Sequence, residues 1–290
     1  MSFMFADDTK LYKHVNDNLD ATDLLQNCQK LYNWCEQWMM KLNTNKCKVL
    51  SIGRKVRTYL KYGFDIPQLG FVQLESVDSM KDLGVTFDND MSFKGHIYDK
   101  INMAYKMLGI ISRNFKQVDK RSFVLLYKSL VRSQLEYAQS VWSPFKGTLI
   151  KDLERVQKRA TKLVPGCKRL SYVERLQRLK LPTLKYRRIR GDMIEAYKIL
   201  SCKYDSLVSP RLPLNTNSRT RGNSLKLSVH RTKYDIRKYC FSVRIVNVWN
   251  SLPDEVILSA SINTFKNNLD KLWKNEEILY NYEADISLSL

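Results

Sequence analysis

The alternation of apolar and polar positions changes period along this chain, and each change marks a different kind of element. "SFMFA" and "KLYKHV" are short apolar-rich runs on either side of "DDT", which predicts a β-hairpin with Asp7 and Asp8 at its tip. Leu24, Cys28, Leu31, Cys35, Trp38 and Leu42 then recur at three- and four-residue steps and predict a helix over residues 17–42. Asp17, Asp20 and Asp23 gather at its start and Lys41 stands at its end, as the helix dipole favours. "LNTNK" stops the helix, and "CKVLSI" reads as a strand leading to Gly53. Residues 54–92 are β-rich in pattern: in "KDLGVTFD", Leu83, Val85 and Phe87 alternate with Asp82, Thr86 and Asp88.

Past residue 93 the period becomes helical. Ile97, Ile101, Ala104, Leu108 and Ile111 predict one helix, and Phe123, Leu126, Leu130 and Tyr137 a second that is entered through Asp119. A third is predicted over residues 148–164, with Ile150, Leu153, Val156, Ala160 and Leu163 as its buried side. Helices around 172–180 and 184–200 continue the pattern, the latter carrying "KYRRIR". "DSLVSPRLPLNTNSRTRGNS" (205–224) has the Pro, Gly, Ser and Asn content of a linker or long loop. The remainder is mixed, with an aromatic run, "KYCFSVRIVNVWNSLP", and a final helix near "FKNNLDKLW".

Charge changes the picture. With 49 Lys and Arg against 29 Asp and Glu in 290 residues, the formal net charge is +20, which favours a polyanionic partner. The excess is localised: residues 100–200 carry 24 basic and seven acidic side chains, while residues 1–99 carry 12 and 13. Because the basic stretch is interleaved with large apolar residues, it is expected to fold and to present its charge on a surface. On the predicted helix at 148–164, Lys151, Arg155, Lys158, Arg159 and Lys162 form one stripe. Such a stripe is either a solvated face or a set of phosphate contacts.

Other chemistry is sparse. Six cysteines, Cys28, Cys35, Cys47, Cys167, Cys202 and Cys240, form no C-x-x-C pair, and His14, His96 and His230 complete no zinc spacing. Free thiols in a reducing, intracellular setting are expected, and no run approaches the length of a membrane span. The tryptophans, Trp34, Trp38, Trp142, Trp249 and Trp273, each lie within an apolar stripe and read as core anchors rather than base-stacking rings. Asp7 and Asp8 read either as an ordinary hairpin turn or as carboxylates for Mg²⁺, which takes one or two protein carboxylates plus waters and phosphate oxygens.

The order of the segments weights that choice. "FADDTKLY", a long helix with two tryptophans, "KLNTNKCKVLSIG" and "KDLGVTFD" resemble the later part of a reverse transcriptase palm, specifically that of non-LTR (LINE-type) retrotransposons of the jockey and CR1 kind. The resemblance continues through "LYKSLVRSQLEYAQSVWSPF", "LERVQKRATKLVPG", "RRIRGDMIEAYKIL" and "VWNSLPDEV". It implies an α+β fold: a palm remnant over 1–53, a primer-grip-like connection over 54–92, a basic helical thumb-like region over 93–204, and a linker with a mixed C-terminal region over 205–290. It implies metal-binding roles for Asp7 and Asp8, a place for Lys46 near the incoming triphosphate, and a place for Lys81, Leu83 and Gly84 near the primer end. RNA–DNA hybrid or duplex would be gripped, sequence-tolerantly, by Lys151, Arg155, Lys158, Arg159, Lys162, Arg187, Arg188 and Arg190. The family also uses a catalytic aspartate on an earlier palm strand and a fingers domain, whereas Met1 to Phe5 alone precede the box here. The expectation is therefore an incomplete RNA-directed DNA polymerase, inactive by itself; the alternative is a non-catalytic nucleic-acid-binding protein derived from the thumb region.

Overall fold

The computed structural model describes residues 2–53, 60–215 and 223–287. Residues 54–59 of the expected β-rich stretch and 216–222 of the expected linker lie outside the described residues. The chain divides into two compact units, Met1–Met91 and Ser92–Leu290.

In the first unit, strands β1 (Ser2–Phe5) and β2 (Asp8–Leu11) pair antiparallel with Phe5 opposite Asp8, leaving Ala6 and Asp7 as a two-residue turn. Ala6 takes a positive φ of 53°, which suits the tight turns that match strand twist. Helix α1 (Asn18–Gln37) is entered through Asp17, whose side chain accepts the Asp20 N–H at 2.9 Å. It stops five residues short of the expected end at 42. Met39 enters the left-handed region (φ 54°), and the Met40 N–H donates back to the Cys35 carbonyl at 2.8 Å. That is a Schellman ending built on methionine, where glycine is customary. Trp34 and Trp38 are consequently exposed, at 42% and 62%, rather than core anchors.

The rest of this unit is a set of two-stranded ladders. β3 (Lys48–Leu50) pairs parallel with β6 (Glu75–Val77), β4 (Gly63–Ile66) antiparallel with β5 (Gly70–Gln73), and β7 (Ser79–Asp82) antiparallel with β8 (Val85–Asp88). Cys28 and Tyr32 of α1, Phe64 of β4 and Leu74 form a small core, with Leu11, Leu42, Cys47, Val49 and Ile66 packed around it.

The second unit is helical. α2 (Lys94–Asn114) buries Ile97, Ile101, Ala104, Leu108 and Ile111, the expected stripe. α3 (Lys120–Leu126) is capped by Asp119, which accepts the Arg121 and Ser122 N–H groups. A π-helical turn (Tyr127–Arg132) comes next and runs directly into α4 (Ser133–Glu136). The short α5 (Gln139–Trp142) precedes α6 (Gly147–Thr161), which packs on α2 and buries Leu149, Leu153, Val156 and Ala160. α7 (Tyr172–Leu179) opens on a capping box, Ser171 with Glu174. α8 (Leu184–Leu200) is the hub for the C-terminal part.

Short helices α9 (Asp235–Lys238), α10 (Phe241–Arg244), α11 (Val246–Asn250) and α12 (Asp254–Ile257), with α13 (Ile262–Leu272), wrap around α8. Tyr186, Met193, Ala196 and Tyr197 of α8 share one apolar core with Leu212, Leu227, Trp249, Phe265, Leu269 and Trp273. The aromatic run "KYCFSVRIVNVWNSLP" thus forms helical turns whose Val246 and Trp249 point into that core.

Candidate nucleic-acid interface

α6 is amphipathic in an uneven way. At 3.6 residues per turn, Lys151, Arg155, Lys158, Arg159 and Lys162 fall within an arc of about 100°. Lys151, Arg155, Arg159 and Lys162 are exposed. Arg155 is held by Asp152 on the same helix, 2.6 Å away, and the Arg159 guanidinium stands 5.5 Å from the Tyr105 ring centre. Lys158 is half-buried instead. Its ammonium sits 5.1 Å from the Tyr172 ring and 4.4 Å from the Tyr282 ring, and donates to the Tyr282 hydroxyl at 3.2 Å. Four of the five stripe residues therefore face outward, and the fifth ties α6 to α7 and to residue 282.

The buried side of α6 carries polar groups that its apolar stripe does not announce. Glu154, Gln157 and Thr161 are fully buried among its apolar residues. Glu154 Oε1 accepts the Leu184 and Lys185 N–H groups (2.6 and 3.2 Å), so a side chain of α6 caps the first turn of α8; its Oε2 accepts from the Tyr172 hydroxyl at 2.7 Å. Burial pushes the Glu154 carboxyl above the usual carboxylate range, against the pull of those donors and of Arg188. Gln157 accepts from the buried Tyr127 hydroxyl at 2.6 Å and donates to the Pro182 carbonyl at 3.0 Å. A signal for this is present in the sequence: two amide or acid side chains stand on the apolar face of an otherwise regular helix.

The three arginines of "KYRRIR" have internal roles. Arg187 makes a bidentate pair with Glu136 of α4, and Arg190 a bidentate pair with Asp270 of α13 at 2.5 and 2.7 Å. Arg188 is 3% exposed. Burial lowers its pKa while Glu154 and Asp192 oppose that shift, and its Nη2 has no hydrogen-bond partner. Asp192, itself raised by burial, is held by Arg244 at 2.9 and 3.0 Å. In this conformation Arg188 cannot reach a phosphate, and Arg187 and Arg190 already have carboxylate partners. Neighbouring arginines on one helix look equivalent in a sequence; the carboxylates that claim them come from 51 and 80 residues away.

In the first unit, Asp7 and Asp8 are exposed at the β1–β2 turn, and no group of three His, Cys, Asp or Glu side chains suited to a metal occurs among the described residues. Lys46 ends a 3₁₀ turn (Thr44–Lys46), and its N–H donates to the Asn43 side chain. Lys81 is exposed on β7. Leu83 and Gly84 form the turn to β8 with φ of 43° and 81°, so a leucine is held in a left-handed conformation at an exposed tip. One ion pair links the two turns' hairpins: Lys10 of β2 to Asp82 of β7, 2.7 Å.

Comparison with known proteins agrees with a polymerase ancestry for part of the chain. A stretch of 174 residues, 56% of this chain, is 23% identical to a protein described as a probable RNA-directed DNA polymerase from transposon X-element of Drosophila melanogaster. The match spans 18% of that protein's length. The chain thus contains a reverse-transcriptase-related region. No family model matches it, and no solved structure matches it. No helix among the described residues is long and apolar enough to cross a membrane.

Proposed function

We propose that this chain is part of a non-LTR retrotransposon reverse transcriptase, comprising the end of a palm, a thumb-like helical region and a downstream C-terminal region, and that it grips nucleic-acid duplex through α6. The observation that carries this reading is the outward arc of Lys151, Arg155, Arg159 and Lys162, set about one turn apart opposite a buried stripe. Cations at that spacing follow one phosphate backbone and contact it without reading bases. With four phosphates neutralised at most, log affinity should fall with log salt at a slope of about −3 to −3.6. Lys158, clamped by two tyrosines, contributes shape rather than contact, and Arg187, Arg188 and Arg190 contribute stability.

The reaction of such enzymes is RNA-templated DNA synthesis, with Mg²⁺ stabilising the attacking and leaving oxygens of the transferred nucleotide. Asp7 and Asp8 would be the residues here that hold it. Two carboxylates on one hairpin turn supply only part of a two-metal site. The 290-residue chain is therefore expected to bind template–primer without extending it. The test measures anisotropy of a labelled RNA–DNA hybrid against salt, for wild type and for Lys151→Glu with Arg159→Glu. The double variant should bind every sequence more weakly, with a slope flatter by about two units. Unchanged binding would reduce α6 to a solvated face, and Mg²⁺-dependent primer extension abolished by Asp7→Ala would replace the binding-only reading with an enzyme.

A further inference from the structure

The second unit has a cavity of about 390 Å³ far along the sequence from α6, between the loop at 229–232 and helices α9 to α11. Its volume lies at the lower end of the roughly 300–1,000 Å³ occupied by small-ligand clefts. His230, Arg231 and Lys238 line it, with Val243 and Val246 as an apolar wall and the Asn247 carboxamide at its edge. None of the described lining residues is acidic. Among the described residues His230 and Arg231 make no ion pair, and the Asn247 side chain makes no hydrogen bond.

Beside it stands an aromatic pair. Tyr239 is next to Lys238 in sequence and stacks on Phe145 with ring centres 4.1 Å apart and planes 3° from parallel. Lys238 lies over the Tyr239 ring at 5.2 Å, and Lys146 over Phe145 at 5.8 Å. Arg244 fixes this corner by donating to the Tyr239 and Ser140 carbonyls at 3.2 and 2.6 Å.

The geometry points to a binding site for an unpaired nucleotide, separate from the duplex face of α6. Phosphate oxygens have His230, Arg231 and Lys238 as donors, and the base has a valine wall with one unpartnered amide to meet its polar edge. An adjoining base in a single strand has the Phe145–Tyr239 pair to stack against, the combination of cationic track and aromatic platform that single-strand binders use. An acidic peptide would satisfy the cations but has no planar group for the valine wall and the aromatic pair.

The test uses the full chain and a 3′-fluorescein hexathymidylate tracked by anisotropy, with a labelled hybrid duplex in parallel. Arg231→Glu with Lys238→Glu, both exposed positions, should weaken the single strand at least tenfold and leave the duplex within twofold. Asn247→Ala should weaken the single strand by a smaller factor. Lys151→Glu with Arg159→Glu should do the reverse of the first pair, so failure of the α6 reading is visible separately. Displacement of the probe by thymidine monophosphate identifies a free mononucleotide as sufficient; displacement only by unlabelled oligothymidylate identifies the strand as the ligand. The site is overturned if the Arg231/Lys238 variant binds the single strand like wild type, if it loses duplex and single strand by the same factor, or if hexaglutamate displaces the probe as well as the oligonucleotide does.

Discussion

Replacing Glu154 by Ala should be among the most damaging single changes in the second unit, although the residue touches no solvent. The carboxylate satisfies two N–H groups at the start of α8 and the hydroxyl of Tyr172, and it is a principal counter-charge to Arg188. Thr183 covers only the third N–H of that turn, accepting from Tyr186 at 3.1 Å. Each buried donor left without an acceptor costs about 1–3 kcal/mol, and removing one partner from a buried charge pair costs about 3–5 kcal/mol. These costs overlap, because the same carboxylate serves all of them, so the expected loss is about 3–5 kcal/mol rather than their sum. Urea unfolding read by tryptophan fluorescence is a suitable assay, since Trp142, Trp249 and Trp273 are buried in this unit while Trp34 and Trp38 of the other are exposed. The midpoint of the second unit's transition should fall with little change in slope. A loss below about 1 kcal/mol would refute the reading of Glu154 as the cap of α8, because even one orphaned donor should cost that much.

Glu154→Gln tests the charge rather than the bonds. Burial raises the carboxyl, so the folded chain holds a proton that the unfolded chain releases; the associated stability is full below the ordinary glutamate value near 4.3 and is lost as pH rises through the raised one. The stability of wild type relative to Gln should therefore fall with rising pH, and a difference that grows with pH would contradict the burial argument. Arg190→Ala should cost at most about 1 kcal/mol, since its partner Asp270 is half-exposed, and should leave hybrid affinity within twofold in the anisotropy assay. Gly63→Ala should destabilise the first unit by about 1–3 kcal/mol in urea unfolding, because its Cβ would meet the Val72 carbonyl and the Phe71 ring, and the carbonyl belongs to the paired strand. Amide exchange should be fast across residues 2–11, where β1 is exposed along its whole length, and slow in α6; equal protection would show that β1 is covered in solution.

Periodicity made the long elements legible. The stripe of α2, the span of α6 and the hairpin at Asp7–Asp8 are local patterns, fixed by residues within a turn or two of each other. What escaped was set by partners distant in the sequence or by unusual backbone. A left-handed Met39 ends α1, and nothing in "WMMKLN" marks it as glycine would have done. Arg188 and Lys158 stand in basic stretches, but one is turned inward toward Glu154 and Asp192 and the other is clamped by Tyr282, 124 residues on. The charge total of the middle third was readable; which charges face outward was not, because that depends on carboxylates and rings supplied by other helices.

The π turn at Tyr127–Arg132 has a consequence for insertions and deletions. An α-helix advances about 100° per residue, so deleting one residue between Tyr127 and Arg132 would let regular winding resume while rotating everything after it by that angle. Upstream, Tyr127 would keep its reach to Gln157, but Glu136 would swing away from Arg187 on α8. The six-residue turn thus works as a phase adjuster between two halves of one helix. A chain lacking one residue here should recover a smoother helix and lose its junction with α8.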